Sequence, residues 1–205
     1  MSPLPHPIPV PEPRSAGKVG IRAIRVGDAK ALRRLLTDNR AWLEPWEATF
    51  PGGGGSVPGS EPMGPVIRTM NRQRKLGSSI TFLITYEGEP AGQLSISDIA
   101  AGALRSASIG YWVAQGVAGR GVTPAAVALA IDYAFEELRL HRIEICIRPE
   151  NLASLRVVQK LGMRYEGRRE KYIHIGGKWC DHETFAVTAE EARAGMLARI
   201  GAPTR

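Results

Sequence analysis

The order of secondary-structure signals between residues 106 and 162 constrains the fold of this chain most. Alternating apolar residues predict a strand at 106–114, and a glycine-containing loop then leads to a long helix at 124–138. A second strand at 142–148 and a second helix at 152–161 follow. A strand, a crossover helix and a strand make a parallel pair with a right-handed connection. We therefore predict an α+β fold, a mixed α/β sandwich.

The elements on either side of this unit are predicted to be antiparallel strands and two early helices. One helix begins after Asp28, which can cap it, and a turn at 87–89 joins two strands of a meander. Gly176 and Gly177 form the turn of a last hairpin. The remaining predicted elements are strands at 19–24, 79–86, 90–97, 165–175 and 178–187 and a helix at 63–76.

The chain has 205 residues, which is the length of one ordinary domain. Prolines at alternate positions from Pro3 to Pro13 favour an extended, disordered tail, so we exclude residues 1–17 from the fold. The catalytic domain is expected to span residues 18–188. Residues 189–205 are expected to form a C-terminal helix that packs on its own domain or on a second subunit, because Thr188 and Glu191 resemble a capping box.

Composition narrows the classes of protein to which the chain can belong. The formal net charge of +7 suggests an anionic partner, which leaves nucleic acid, a ribosomal surface and a phosphorylated cofactor open. Direct nucleic-acid binding is not expected, because the basic residues are spread without interleaved aromatic residues. Two distant cysteines, no secretory leader, no apolar run of membrane-spanning length and no zinc-ligand spacing predict a cytoplasmic protein without a metal site or membrane association.

The loop at residues 118–123 is the strongest signal for a ligand. Gly119 and Gly121 leave backbone amides unshielded between a strand and a helix, and the helix N-terminus adds a partial positive charge. Pro124 has no N–H, so the donors must come from residues 119–123, with Thr123 as the expected helix cap. The loop can cradle a diphosphate. Read alone, the glycines are equally typical of a tight turn between a strand and a helix.

A second motif begins at Asn151, directly after the second parallel strand. It continues through Ser154 and ends with Leu161, Gly162 and Met163. Taken singly, Asn151 is a helix cap and Gly162 a helix stop. The order and spacing of the two motifs together are not explained in that way.

Through these two motifs the chain resembles the GNAT acetyltransferase superfamily. Ala118 and Thr123 depart from the family's phosphate-loop pattern, while Gly121 matches it. The resemblance implies a mostly antiparallel central sheet whose fourth and fifth strands form a splayed parallel pair. The implied order is a strand, two helices, three strands, a helix, a strand, a helix and two strands. Residues 42–46 and 178–182 resemble the RimJ/RimL-type branch, whose members acetylate the N-terminal amine of ribosomal proteins.

The resemblance also implies which residues form the site. Acetyl-CoA is expected to contact the backbone of Trp112, Val113 and Ala114, residues 118–123 (Ala118, Gly119, Arg120, Gly121, Val122 and Thr123), Asn151 and Ser154. Ser154 is the expected proton donor to the departing thiolate, with Tyr111 in reserve. Glu47 and His174 are the candidates for the base that assists direct attack of the amine.

The acceptor stays open at this stage. An α-amine with a pKa of about 8 needs less help from a base than a lysine near 10.4, which favours a protein N-terminus, such as a ribosomal protein beginning with Ala or Ser. The alternatives are a small amine such as a polyamine, an aminoglycoside or an amino acid, or a noncatalytic acyl-CoA-binding module. The protein is expected to be a monomer or a homodimer.

Overall fold

A computed structural model describes residues 7–201, which form one sheet with helices on both faces. The strands are β1 Arg14–Ala16, β2 Val19–Ala23, β3 Ile80–Tyr86, β4 Glu89–Ala100, β5 Ser106–Val113, β6 Arg142–Ile147, β7 Arg164–Ile175 and β8 Lys178–Thr188. The helices are α1 Ala29–Asp38, α2 Arg40–Leu43, α3 Met63–Lys75, α4 Val122–Glu136, α5 Leu152–Lys160 and α6 Met196–Arg199. Within this range no helix has both the length and the apolar character that a membrane crossing requires.

The sheet has the order β1-β2-β3-β4-β5-β6-β8-β7, and its neighbours are antiparallel except at the centre. There β5 and β6 run parallel and pair over three residues only, with Ser108 opposite Glu144 as the last pair. Each strand continues beyond that pair without the other, so a gap opens between residues 109–113 and 145–147. The predicted sandwich with a splayed parallel pair is confirmed.

Two hydrophobic clusters fix the helices on the sheet. On one face α4 is buried along almost its whole length, because it crosses several strands and also contacts α5 and α6. On the other face Leu32 and Leu36 of α1 pack with Ile67 of α3. All three of these side chains are at most 5% exposed. The gap between β5 and β6 therefore lies between two helical layers.

The expectation that residues 1–17 lie outside the fold is wrong for the part that the structure describes. Ile8 is 2% exposed and joins the larger core, and β1 pairs with β2. Arg14 also bonds to Glu136 at 2.6 Å. Alternating prolines remove backbone N–H donors, but an edge strand uses its donors on one side only. An apolar residue between two prolines can still be buried. Residues 1–6 of the predicted tail lie outside the described residues.

The C-terminal segment also differs from its prediction. Thr188 N–H does bond to Glu191 at 2.8 Å, as in a capping box, but turns follow instead of a helix. Helix α6 begins only at Met196, after Gly195 with φ 80°. The buried carboxylate of Asp132 accepts from the N–H groups of Met196 and Leu197 at 2.7 and 3.4 Å. A tertiary contact with α4 thus sets the start of this helix; residues 202–205 lie outside the described range.

Candidate functional site

A cavity of about 210 Å³ occupies the gap between β5 and β6. Its lining comes from both splayed strands, from the start of α5, from the hairpin of β7 and β8, and from Trp46 and Ala48 after α2. The segment after α2 is held over the hairpin, since Ala48 pairs with Ile175 and Thr49 N–H bonds to His174 O at 2.8 Å. Arg148, which also lines the cavity, donates a hydrogen bond to the carbonyl of Pro45 at 2.9 Å.

The cavity passes through the sheet and has two chemically different sides. Tyr111 packs on the core cluster that contains α4 and α5, and Ser154 lies on α5 itself. Cys146 pairs with Thr184 of β8, and directly opposite residues of antiparallel strands share one face. His182, two residues before Thr184, therefore lies on the same face as Cys146. Hydroxyl groups line the α5 side, and a thiol and an imidazole line the opposite side.

The hydroxyl of Tyr111 is buried and has no hydrogen-bond partner among the described residues. Burial raises the pKa of Tyr111 to about 12, while the nearby Ser154 hydroxyl acts in the opposite direction. The phenol therefore stays protonated at neutral pH and offers a donor to whatever occupies the cavity. Ser154 lines the same side.

Asn151 positions Ser154. The Asn151 side-chain oxygen accepts a hydrogen bond from Ser154 N–H at 3.1 Å and caps α5, as its position before the helix predicted. Both residues line the cavity. The sequence motif thus brings a hydroxyl to the gap through an ordinary helix cap.

The end of β5 presents one backbone group to the gap rather than three. The Ala114 N–H donates to Ala91 O at 2.8 Å, so it is already used by the segment beside β5. Hydrogen-bonded and non-bonded pairs alternate in an antiparallel ladder, which turns Trp112 towards β4 and the Val113 N–H towards the gap. Val113 O accepts from Trp42 Nε1 at 3.1 Å. Trp112 and Ala114, which were also predicted to contact the ligand, direct these backbone groups to β4.

In the loop before α4, the backbone amides of Gly119 and Gly121 have no hydrogen-bond partner among the described residues. Gly119 and Gly121 have φ values of 77° and 78°, a left-handed region that glycine tolerates without strain. A Cβ at either position would meet nothing within 4 Å, so both face open space. The amides of Ala118 and Arg120 bond within the loop, to Gln115 O at 3.1 Å and Val117 O at 3.4 Å.

Helix α4 begins two residues earlier than predicted. Gly121 is its N-cap and makes no side-chain capping bond, so Thr123 is not the cap and Pro124 is the third helical residue. The first amides of a helix have no partner inside it, and those of Val122 and Thr123 are left without a cap. An uncapped helix start beside two left-handed glycines is suited to binding an anion.

Glu47 and His174, the two predicted bases, do not line the cavity. The Glu47 carboxylate forms an ion pair with Arg40. The His174 ring lies on the hairpin, where its Nδ1 is 2.7 Å from Thr49 Oγ1 and the ring meets Trp179 edge-to-face. Each side chain is therefore engaged in a contact outside the gap.

His182 lines the cavity, and sequence reasoning missed it as a site residue. The side chain is 3% exposed, and its Nδ1 lies 3.1 Å from the carbonyl oxygen of Cys180. Burial lowers the pKa of His182, so the ring is neutral at pH 7. The sequence signal for His182 was the alternation of buried residues along β8, in which Cys180, His182 and Thr184 are the inward positions. Residues 178–182 were noted as a family resemblance and not as a source of chemistry.

Cys146 is the thiol of this cavity, and burial raises its pKa. Its Sγ lies 3.8 Å from Thr184 Oγ1 and 3.6 Å from a nitrogen of Arg169, both of which act against that rise. A thiol with a raised pKa stays protonated at neutral pH and is a poor nucleophile. The Cys146 thiol is therefore not activated as a nucleophile.

A larger, open depression of about 580 Å³ lies between α1 and the start of α3. No residue of β5 or β6 lines it, and its basic side chains are partly engaged: Arg33 binds Gly59 O and Arg34 binds Asp38, both at 3.3 Å. It offers neither a buried donor nor a titratable group in an apolar setting. The chemistry is therefore concentrated in the gap between β5 and β6.

Comparisons with known proteins identify the family of the chain. Residues 18–164 match the family model described as an acetyltransferase (GNAT) domain. The solved structure of Mycobacterium smegmatis RimJ in complex with CoA-disulfide is 36% identical with a TM-score of 0.84, and the match covers 98% of this chain and 92% of that one.

Two curated relatives extend the comparison. The [ribosomal protein uS5]-alanine N-acetyltransferase of Escherichia coli is 28% identical over 91% of this chain and 96% of its own length. The probable N-acetyltransferase YjcK of Bacillus subtilis is 45% identical over 96 residues, about half the length of each protein. The predicted resemblance to the superfamily and to its RimJ/RimL-type branch is confirmed.

Proposed function

The chain belongs to the GNAT acetyltransferase family and is an acetyl-CoA-dependent N-acetyltransferase, and we propose that it acetylates the N-terminal α-amine of a protein. A ribosomal protein that begins with Ala or Ser is the proposed acceptor. The names of the RimJ and uS5-alanine relatives support this choice. One observation on the site itself carries the argument.

No carboxylate lines the cavity in the described part of the chain, whereas Arg148 does. Polyamines and aminoglycosides carry several positive charges, and their recognition requires anionic groups near the amine. An α-amine with a pKa of about 8 is neutral in roughly a tenth of molecules at neutral pH and needs no such partner. A cavity with an arginine and without carboxylates therefore favours a protein N-terminus.

The residues around the gap fit the cofactor of the family. We propose that the amides of Gly119, Gly121, Val122 and Thr123 hold the diphosphate of CoA, with Asn151 and Ser154 along the pantetheine arm. Acetyl-CoA supplies the acetyl thioester when it is bound. The Val113 N–H, which points into the gap, is the proposed donor to the thioester carbonyl oxygen.

Two hydroxyls are proposed to serve the departing sulfur. Tyr111 is a protonated, buried donor without a partner, and Ser154 stands beside it on the α5 side of the gap. Ser154 is the expected proton donor, and Tyr111, the reserve candidate, gains support from its unsatisfied hydroxyl. The acceptor amine then approaches from the opposite side, so that both substrates are present together.

A thiol-release assay with acetyl-CoA tests the acceptor. The panel contains peptides that begin with Ala, Ser or Met, a peptide with acetylated Ala as the matched control, spermidine and an aminoglycoside. We expect thiol release with the free α-amine peptides, fastest for Ala and Ser, and none with the acetylated peptide. Transfer to spermidine or the aminoglycoside alone would overturn the proposed acceptor.

A further inference from the structure

We propose that His182 is the general base of the transfer, accepting on its Nε2 the proton that the acceptor amine loses as it attacks the thioester. The inference rests on the proposed function insofar as an amine is the acceptor, whichever amine it is. His182 replaces Glu47 and His174 as the proposed base, because those two residues do not line the cavity. Three independent features of the site carry it.

The first feature is position. His182 lies on the face of the sheet opposite to Tyr111 and Ser154, and all three line one cavity through the gap. During direct attack the amine and the sulfur are separate substituents of one tetrahedral carbon, so the two proton movements take place at different positions around it. A base on one side and hydroxyl donors on the other match the two proton movements that the reaction requires.

The second feature is the tautomer of the ring. The contact of 3.1 Å joins His182 Nδ1 to the carbonyl oxygen of Cys180, and a carbonyl can only accept. Nδ1 therefore carries the proton, and Nε2 keeps its lone pair. No described residue donates a hydrogen bond to Nε2, so the lone pair is available to a substrate or a water in the cavity.

The third feature is the setting that keeps the ring neutral. Burial lowers the pKa of His182, and Arg148 acts in the same direction, whereas the Cys180 carbonyl, Glu150 and Asp181 oppose them. Arg148 is bound to Glu150 at 3.2 Å, and from β7 the Tyr172 ring meets the imidazole edge-to-face at 5.8 Å. On the neighbouring strands, Arg169 of β7 contacts the Cys146 thiol of β6. The Glu47 carboxylate pairs with Arg40. A neutral imidazole at pH 7 is ready to accept a proton.

The proton balance of the step is complete with the groups of the site and solvent. The acceptor nitrogen forms a bond to the acetyl carbon, the C–S bond breaks, and the nitrogen's proton passes to His182 Nε2. The sulfur takes a proton from the hydroxyl side of the gap. Solvent then removes the proton from His182 and restores the hydroxyl, so the net products are an acetylated amine and CoA thiol.

The test compares His182→Gln with a matched control, His141→Gln. His141 lies outside the cavity, at the paired end of β6, where its Nε2 is 3.1 Å from Glu190 on the surface. We expect His182→Gln to lower kcat by about 10²-fold or more with calorimetric CoA binding within about twofold, since a general base contributes roughly 10²–10⁴-fold. The wild-type profile of kcat/KM against pH should fall below the amine pKa of about 8 and more steeply below pH 6.5, and only the steeper limb should vanish in His182→Gln. Wild-type kcat with an unchanged pH profile in His182→Gln would overturn the proposal.

Nitrogen NMR of the wild-type histidines keeps the proposal falsifiable if the variant does not fold. We expect the His182 proton on Nδ1 and a titration midpoint below 6.5. A proton on Nε2, or a midpoint above 7, would overturn the base assignment without any activity measurement. The kinetic comparison uses whichever acceptor the wild-type protein acetylates. Transfer to spermidine alone would thus refute the proposed acceptor, while loss of that activity in His182→Gln would still support the base.

Discussion

The Tyr111 hydroxyl is unusual at the scale of single residues because it is buried without a partner. A buried donor that lacks a hydrogen bond costs about 1–3 kcal/mol. Its free energy is lowered when a ligand places an acceptor within reach, so the hydroxyl is better satisfied in the complex than in the free protein. Such groups cluster at functional sites.

Tyr111→Phe separates stability from function. Removal of the unpartnered hydroxyl should raise the free energy of unfolding by about 1 kcal/mol and lower kcat. The matched control is Tyr133→Phe, because the Tyr133 hydroxyl on α4 is also buried without a partner and does not line the cavity. The control should gain stability with kcat unchanged. Thermal denaturation and steady-state kinetics measure both, and an unaltered kcat in Tyr111→Phe would remove this donor from the mechanism.

Ser154→Ala tests the second hydroxyl on the same side. We expect turnover to fall by more than CoA affinity, because the hydroxyl is proposed to act when the thiolate leaves. The helix cap should persist, since Asn151 accepts from the backbone N–H of Ser154 and not from its side chain. Equal turnover of the variant and the wild-type protein in a steady-state assay would exclude Ser154 as a proton donor.

At the scale of elements, the start of α4 is the proposed anion site. Gly121→Glu places a carboxylate at an exposed, uncapped helix start, so we expect CoA binding to be lost in calorimetry through charge repulsion and bulk. Gly121→Ala is the control, because it has the same strain at φ 78° without charge. It should keep measurable affinity. Normal CoA binding by Gly121→Glu would refute the cradle.

The splay of β5 depends on a close approach to β4. A Cβ on Gly92 would lie 2.2 Å from Trp112 O and 2.8 Å from Val113 Cα, and these backbone atoms cannot rotate away. Gly92→Ala should therefore lower the free energy of unfolding by about 1–3 kcal/mol and raise the KM for acetyl-CoA, since the Val113 amide moves.

Gly20→Ala provides the comparison for that change. Its Cβ would lie 2.7 Å from Thr85 Oγ1, which is a side-chain atom that can rotate. Denaturant unfolding should show a smaller loss of stability for Gly20→Ala than for Gly92→Ala, and kinetics should show an unchanged KM. Equal losses in the two variants would mean that β4 adjusts as easily as a side chain does.

At the scale of the whole molecule, His182 links stability to pH. The pKa of His182 is lowered in the folded state, so the unfolded chain binds a proton more readily. The resulting contribution to stability is fully present above pH 6.5 and is lost as pH falls below that value. Thermal midpoints at pH 7.5 and 5.5 should differ more in the wild-type protein than in His182→Gln. An equal fall of the thermal midpoint from pH 7.5 to 5.5 in the wild-type protein and in His182→Gln would show that His182 does not titrate with a lowered pKa.

The strand and helix pattern from residue 19 to residue 188 could be predicted from the sequence, because alternation and helical periodicity are local properties. The glycine loop and the Asn151 cap were predictable for the same reason, since both depend on residues a few positions apart. The start of α4 was misplaced by two residues, because Thr123 and Pro124 resemble a cap and a first helical residue. The backbone of Gly121 provides that boundary instead.

Local pattern therefore determined the α+β fold with its parallel pair and the residues at the two motifs, whereas the splay of that pair followed from the family resemblance. Tertiary structure decided what depends on contacts across the chain: the burial of Ile8, the start of α6 on Asp132 and the pairing of Glu47 with Arg40. It also decided that His182 shares a cavity with Ser154. The physical reason is that burial and partner choice are set by residues distant in sequence, and these determine which side chain is buried, neutral and free to react.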